Sequence, residues 1–225
     1  MNDTASFGYR DVPAEEKAGM VRSVFSGVAR RYDLMNDAMS LGAHRLWKDQ
    51  FVARIKPRAH EAILDMAGGT GDIAFRLARV GAQVTVADIN PEMLSVGQER
   101  AEKRGISGLT WSEQNAEELT FAARSFDAYT IAFGIRNVTF IDKALAEAHR
   151  VLNYGGRFFC LEFSTCTWPG FADVYDAYSH RLVPKIGQIL AGDKESYRYL
   201  VESIRRFPPM PEFERMIRAA GFAQT

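Results

Sequence analysis

Apolar positions in the first sixty residues recur at helical spacing. Val21, Val24, Phe25 and Val28 mark one helix, and Leu46, Trp47 and Phe51 mark a second that ends before Pro57. Beyond Pro57 the period changes. Short β-rich runs, from Ala62 to Met66, Gln83 to Ala87, Leu109 to Ser112, Ala128 to Phe133 and Arg157 to Phe163, alternate with helix-length stretches. Such alternation predicts βαβ units and a mostly parallel sheet covered by helices on both faces. Asn90 suits a helix N-cap, Pro91 the first helical position and Gly105 the stop. A further helix is expected from about Ile141 to Leu152, ending near Gly155-Gly156, and a longer helical stretch from Phe171 to Ala191 is interrupted by Pro184. The last helix follows the turn Pro208-Pro209-Met210-Pro211 and ends before Gly221. The organisation read from this pattern is an α/β chain with an N-terminal helical cap over residues 1–57. A core follows over 58–225, with a helical insertion at about 168–206.

Composition narrows the class. At 225 residues, with 47% hydrophobic and 25% charged, the chain is an ordinary globular one, best read as a single domain with additions. Twenty-eight basic residues balance 28 acidic ones, so no global field attracts a polyanion, and nucleic acid is not expected as a partner. Cys160 and Cys166 do not make a CxxC motif and read as structural thiols in a reducing compartment. The N-terminus lacks the pattern of a signal peptide, and no apolar run is long enough to span a bilayer. A cytoplasmic location is therefore expected, with any membrane contact peripheral and on the inner face. His44, His60, His149 and His180 show no ligand spacing, so no metal is expected.

The chemistry concentrates in Ile63-Leu64-Asp65-Met66-Ala67-Gly68-Gly69-Thr70-Gly71-Asp72, a strand that runs through clustered glycines into a helix. Glycine is favoured there because it lets a ligand approach the backbone. Gly69-Thr70-Gly71-Asp72-Ile73-Ala74 also satisfies a dinucleotide fingerprint, and Asp88, about 20 residues on, is placed to accept the hydroxyls of a ribose. An adenosine-containing cofactor follows, and charge separates the candidates. A pyrophosphate would be repelled by carboxylates on either side of the loop, whereas an ammonium and a sulfonium would be attracted. Asp65 and Asp72 form such an acidic collar and favour S-adenosylmethionine over NAD, although each also fits a purely local role, Asp65 capping a turn and Asp72 a helix start. After the next strand, Gln114-Asn115-Ala116-Glu117-Glu118-Leu119 offers a side-chain amide and backbone N–H groups for an adenine edge.

Several blocks together resemble the ubiquinone/menaquinone biosynthesis C-methyltransferase family. They are Phe25-Ser26-Gly27-Val28-Ala29-Arg30-Arg31-Tyr32-Asp33-Leu34-Met35-Asn36, the stretch from Leu64 to Asp72, Ala87-Asp88-Ile89-Asn90, Asn115-Ala116-Glu117, Phe133-Gly134-Ile135-Arg136-Asn137-Val138 and Leu161-Glu162-Phe163-Ser164. The resemblance runs from Phe7 to Phe222. It implies a Rossmann-like class I methyltransferase that moves a methyl from S-adenosylmethionine to a ring carbon of a polyprenylated quinol. It assigns cofactor binding to Thr70, Asp88, Asn115 and Ala116; Asp65, Gly69 and Gly71 join them on the reading of the loop. Where the family often has a serine, this chain has Ala132.

Carbon methylation of a quinol is helped by a cation near the ring oxygen, since free phenols ionise only near pH 10. Arg136 and Asn137 follow the fourth strand at its ligand-binding end, and Tyr32 joins them if the N-terminal block folds over the crevice; these three are the expected substrate-positioning groups. Phe171, Val174, Tyr175, Tyr178 and Leu182 form an apolar stripe, continued by Ile186, Ile189 and Leu190. With Met35, Met39, Leu41 and Trp47 they are expected to form a lid whose apolar rim meets a bilayer or a partner, a second copy or another biosynthetic enzyme. Two alternatives remain at this point: an NAD-dependent oxidoreductase, and a non-catalytic lipid-binding scaffold.

Overall fold

The structure, a computed structural model, describes residues 4–28, 36–37, 40, 42–164 and 194–225. Tyr32, Met35, Met39, Leu41, Cys166, His180 and the apolar stripe from Phe171 to Leu190 lie outside the described residues.

The sheet comprises β3 (Ala62–Met66), β4 (Gln83–Asp88), β5 (Leu109–Glu113), β6 (Phe126–Ala132) and β7 (Leu152–Leu161), in the order β5-β4-β3-β6-β7, with every neighbouring pair parallel. In β3, Ile63 and Leu64 face opposite sides and both are fully buried, so this central strand reads as a continuous apolar run. The chain lays β4 and β5 on one side of β3, then crosses to lay β6 and β7 on the other. This reversal opens a crevice at the carboxyl ends of the strands.

Helices cover both faces. On one side α2 (Ala43–Ile55), α3 (Asp72–Ala78) and α4 (Pro91–Lys103) contribute Phe51, Ile55, Ile73, Leu77 and Leu94 to a cluster with Ile63, Val84 and Val86. α2 thus packs into the sheet sandwich, although its sequence groups with the N-terminal region. On the other side α5 (Ile141–Val151) and α7 (Met210–Ala219) bring Leu145, Ala148 and Phe213 onto Leu64, Tyr129 and Ile131. Asn90 caps α4 as its sequence predicts: its side-chain oxygen accepts from the N–H groups of Glu92 and Met93, with Pro91 next. α7 differs from expectation by starting inside the proline turn, at Met210, with Pro209 as its N-cap and Pro211 in its first turn, where a missing N–H costs nothing.

The first residues are a second difference. An antiparallel hairpin, β1 (Thr4–Phe7) and β2 (Arg10–Pro13), precedes α1 (Ala14–Val28). Four-residue strands carry too little alternation to be read locally, and the hairpin is set by distant contacts. Phe7 stacks on Tyr199 with ring centroids 4.3 Å apart, and the Tyr9 N–H donates to Glu202 across the turn at Gly8. Tyr199 and Glu202 belong to α6 (Lys194–Arg206), so the hairpin, α1 and α6 share one small apolar cluster that includes Val21, Leu200 and Ile204. Among the described residues no helix is long and apolar enough to cross a membrane.

Candidate active site

A cavity of about 630 Å³ occupies the crevice. Its floor is the loop after β3 and the ends of β4 and β6, and its roof is α1 through Ala18, Val21, Arg22 and Phe25. The roof is tied down by polar contacts: the Arg22 guanidinium donates to the Ile89 carbonyl and to Glu113, while the Asn90 side-chain amide donates to the Arg22 carbonyl and to Ser26.

The glycine loop has its own geometric reason. Gly71, the residue before α3, has φ 83°, a left-handed conformation, and a Cβ there would lie 2.7 Å from the Phe75 ring. A Cβ on Gly68 would lie 2.7 Å from Val86 and 2.9 Å from the Asp65 carbonyl. At these two positions it is therefore the protein's own packing that excludes a side chain, as well as any ligand above it.

Asp65 is the penultimate residue of β3, and its β-ladder neighbour on β6 is Thr130. It is 1% exposed. Its Oδ1 accepts from Thr130 Oγ1 at 2.7 Å, Oδ2 is buried and makes no hydrogen bond among the described residues, and the residue lines the cavity. Burial pushes its carboxyl up to about 7. Asp88 closes β4; its Oδ2 accepts from the Gly69 N–H at 3.0 Å and its Oδ1 from the Asn90 N–H at 2.9 Å. Burial raises it to about 6, against the pull of those N–H groups. Gly69, Thr70 and Ala116 are buried in the lining, whereas Asn115, also in the lining, is exposed, and its Oδ1 accepts from the Glu117 N–H to hold its turn. Gly71 lies just behind this wall, setting the helix start.

Asp72 corrects the acidic collar. It lines the cavity, but Lys48 Nζ reaches its Oδ2 at 2.7 Å and Arg76 pairs with its Oδ1. Burial works to raise its carboxyl, yet Lys48 and Arg76 outweigh that and hold it below the ordinary range. Of the three acids around the glycine loop, Asp65 and Asp88 are thus the two without an ion pair among the described residues. Lys48, on α2, was not legible as a site residue; with His44 one turn earlier it forms a buried polar pair on an otherwise core-facing side, which is the only local sign of it.

Arg136 also differs from expectation. A 3₁₀ turn, Ile135–Asn137, follows β6, and the Arg136 guanidinium folds away from the large cavity. It donates to Glu162 at 2.5 Å and to the Phe133 carbonyl at 2.7 Å, with the two ionic side chains only 2% and 4% exposed. Arg136 lines instead a small neighbouring cavity of about 80 Å³. A buried ion pair of this kind neutralises the cation, so Arg136 presents no free charge to the crevice. Asn137 does line the crevice: its Oδ1 accepts from the Tyr199 hydroxyl at 3.0 Å, and its Nδ2 makes only a long contact, 3.4 Å, to the Phe133 carbonyl. Tyr199, from α6 and far away in sequence, thereby touches a residue of the site while itself lining the small cavity. Among the described residues no group of three or more His, Cys, Asp or Glu is disposed to hold a metal ion.

Comparison with known proteins places this geometry. Among solved structures, a SAM-dependent methyltransferase from Thermotoga maritima superposes with a TM-score of 0.63 at 19% identity, covering 90% of this chain and 81% of that one. The [4+2]-cyclase SpnF superposes at 0.62 with 18% identity, covering 83% and 90%. Both likenesses concern the fold, the Rossmann-like class I methyltransferase architecture, and SpnF shows that this fold by itself does not dictate the reaction. Sequence relatives are nearer: a protein of Zymomonas mobilis subsp. mobilis named ubiquinone/menaquinone biosynthesis C-methyltransferase UbiE is 63% identical over 222 residues, 99% of this chain and 92% of that protein. The profile of one family matches residues 5–225, and the chain belongs to that family, the ubiE/COQ5 methyltransferases.

Proposed function

We propose that this protein methylates a ring carbon of a polyprenylated quinol, of the demethylmenaquinol or 2-polyprenyl-6-methoxy-1,4-benzoquinol type, with S-adenosylmethionine as donor. The observation that carries the cofactor reading is Asp65, a buried carboxyl in the cavity lining with no ion-pair partner among the described residues. A buried charge left so is unfavourable unless a ligand supplies the opposite one. The amino-acid ammonium of S-adenosylmethionine does so, whereas the pyrophosphate of a dinucleotide would add a like charge beside Asp65 and Asp88. When bound, the donor supplies an electrophilic methyl group on a sulfonium.

The chain's own residues bind, orient and exclude water. Asp65 holds the ammonium, Asp88 the ribose hydroxyls, and Gly69, Thr70, Asn115 and Ala116 shape the remaining wall. α1 roofs the crevice, and Val21, Phe25, Phe133, Val138 and Phe140 give the cavity an apolar side suited to a quinol ring and the start of its tail. Asn137 hydrogen-bonds a ring oxygen, and Arg136 acts as a positioning residue that holds the Asn137 turn through Glu162 and the Phe133 carbonyl. Orientation of ring and donor in a dry cavity then contributes much of the rate. The prenyl tail remains in the bilayer, so the protein works at a membrane surface.

The test is transfer of a labelled methyl group from S-adenosylmethionine to a short-chain demethylmenaquinol or 6-methoxy-benzoquinol kept reduced. Label in the ring carbon supports the reading. Donor binding without transfer to either quinol would point to the scaffold, and tight NAD binding without donor binding to the oxidoreductase.

A further inference from the structure

Five carboxylates, Glu15, Asp65, Asp72, Asp88 and Glu117, line the large cavity, and Asp65, Asp72 and Asp88 are the three around the glycine loop. An ammonium is welcome there, but the amino-acid end of the methyl donor carries an α-carboxylate one carbon from its ammonium. Whatever binds the ammonium at Asp65 therefore brings a further negative charge into the same neighbourhood, where it is repelled unless a cation meets it. Among the described residues the cavity is lined by two cations, Arg22 and Lys48. Arg22 sits at the ribose end: its guanidinium is engaged by the Ile89 carbonyl and Glu113, next to Asp88 and Asn90. Lys48 sits at the other end, on Asp72 and 5.9 Å from the centroid of the Phe133 ring, and Asp72 is near enough to Asp65 for its charge to be felt there.

Resting on the reading that S-adenosylmethionine is the donor, we infer that Lys48 is the counter-charge for the donor's α-carboxylate. Its side chain is almost wholly buried, so the charge acts in a poorly solvated setting where an ion pair is stronger than at the surface. An ammonium has three N–H donors, and the described contact to Asp72 uses one. Asp72 does not depend on Lys48 alone, because Arg76 holds its other oxygen and its backbone carbonyl. Lys48 can therefore share its charge with an incoming carboxylate while Asp72 stays compensated. The amino-acid moiety is then gripped at both ends, by Asp65 from the sheet and Lys48 from α2, two elements joined only through the tertiary fold.

The experiment is a calorimetric titration of the full-length protein with three ligands: S-adenosylhomocysteine, its decarboxylated analogue, and 5′-methylthioadenosine, which lacks the amino-acid end. The wild type is expected to bind S-adenosylhomocysteine at least about tenfold more tightly than the decarboxylated analogue. In Lys48→Met, S-adenosylhomocysteine is expected to weaken by about ten- to a hundredfold, with the other two ligands unchanged and Lys48→Arg retaining most of the preference. Equal weakening of all three ligands would mean that Lys48 only props the Asp72 loop, and no weakening would mean that it faces nothing; either result overturns the inference. If Lys48→Met does not fold, the wild-type comparison still decides, because a decarboxylated ligand bound as tightly as the parent rules out a cation on the carboxylate. Failure of the wild type to bind S-adenosylhomocysteine at all would instead overturn the cofactor reading itself.

Discussion

Two buried acids at the carboxyl end of the sheet have opposite fates. Asp65, on β3, lines the cavity with no ion-pair partner among the described residues, and one of its buried oxygens makes no hydrogen bond there. Glu162, just beyond β7, is met by the Arg136 guanidinium and by the Phe163 N–H. Burial raises both carboxyls, but at Glu162 the guanidinium supplies an opposing charge, whereas at Asp65 only the neutral Thr130 hydroxyl and Ala74 N–H oppose the rise and the nearby charges of Asp72 and Asp88 add to it. The lesson is that a matched buried pair is frame and an unmatched buried charge is a site. The first holds its place whatever binds, and the second is completed only by a ligand of the opposite sign.

The sharpest way to break the comparison is to unmatch the pair. Arg136→Met leaves Glu162 buried and alone, and a loss of about 3–5 kcal/mol in unfolding free energy is expected, read by urea or thermal denaturation. Turnover should fall as well, because the Asn137 turn loses its anchor, while S-adenosylhomocysteine still binds the folded fraction. A variant as stable as the parent would show that the pair is not frame.

Asp65→Asn should do the reverse. The amide keeps an oxygen for Thr130 but removes the charge, so S-adenosylhomocysteine is expected to weaken by about a hundredfold, roughly 2.7 kcal/mol, while the melting temperature of the ligand-free protein does not fall. A lower melting temperature with intact affinity would place Asp65 with Glu162 on the structural side.

A smaller effect is the dependence on pH. Asp65 and Asp88 bind protons more tightly in the folded protein than at the ordinary carboxylate value, with folded values of about 7 and about 6. Their contribution to stability is therefore present below about pH 4 and is lost as pH rises through 6 to 7. Ligand affinity runs the other way, since the ammonium needs the ionised form: titrations should show binding weakening as pH falls below 7, by up to about tenfold per unit where one carboxylate is taking its proton. Asp65→Asn should flatten both curves, and parallel trends in stability and affinity would contradict the assignment.

The smallest expected change tests the frame beside the site. Asn90→Ala removes the α4 cap and two side-chain contacts to α1, and a loss of about 1 kcal/mol is expected by denaturation, with only a modest effect on ligand binding.

The half of the site that lies along the central strands was legible because its information is local. β3 runs from Ala62 to Met66 as its apolar run predicts, the Asn90-Pro91 cap works as written, and Asp88 stands one β-strand beyond the glycine loop. Each rests on residues within a few positions of one another, or on the fixed length of a βα unit. The covering half was not legible in the same way. The hairpin of residues 4–13 is ordered by Tyr199 and Glu202, and Arg136 is turned from the crevice by Glu162, 26 positions on. Asp72 looked like part of an acidic collar because nothing nearby in sequence announced that Lys48 would neutralise it.

Periodicity, caps and glycine spacing were enough to decide the parallel sheet, the glycine loop and the acid at the end of the second core strand, since each is a property of a short stretch of chain and its backbone. Which charges remain unpaired was decided only by the folded molecule. Pairing is a matter of distance in space, and Lys48, Glu162 and Tyr199, the distant partners of Asp72, Arg136 and Asn137, arrive from α2, from just beyond β7 and from α6, parts that the chain brings together only when the sheet is built.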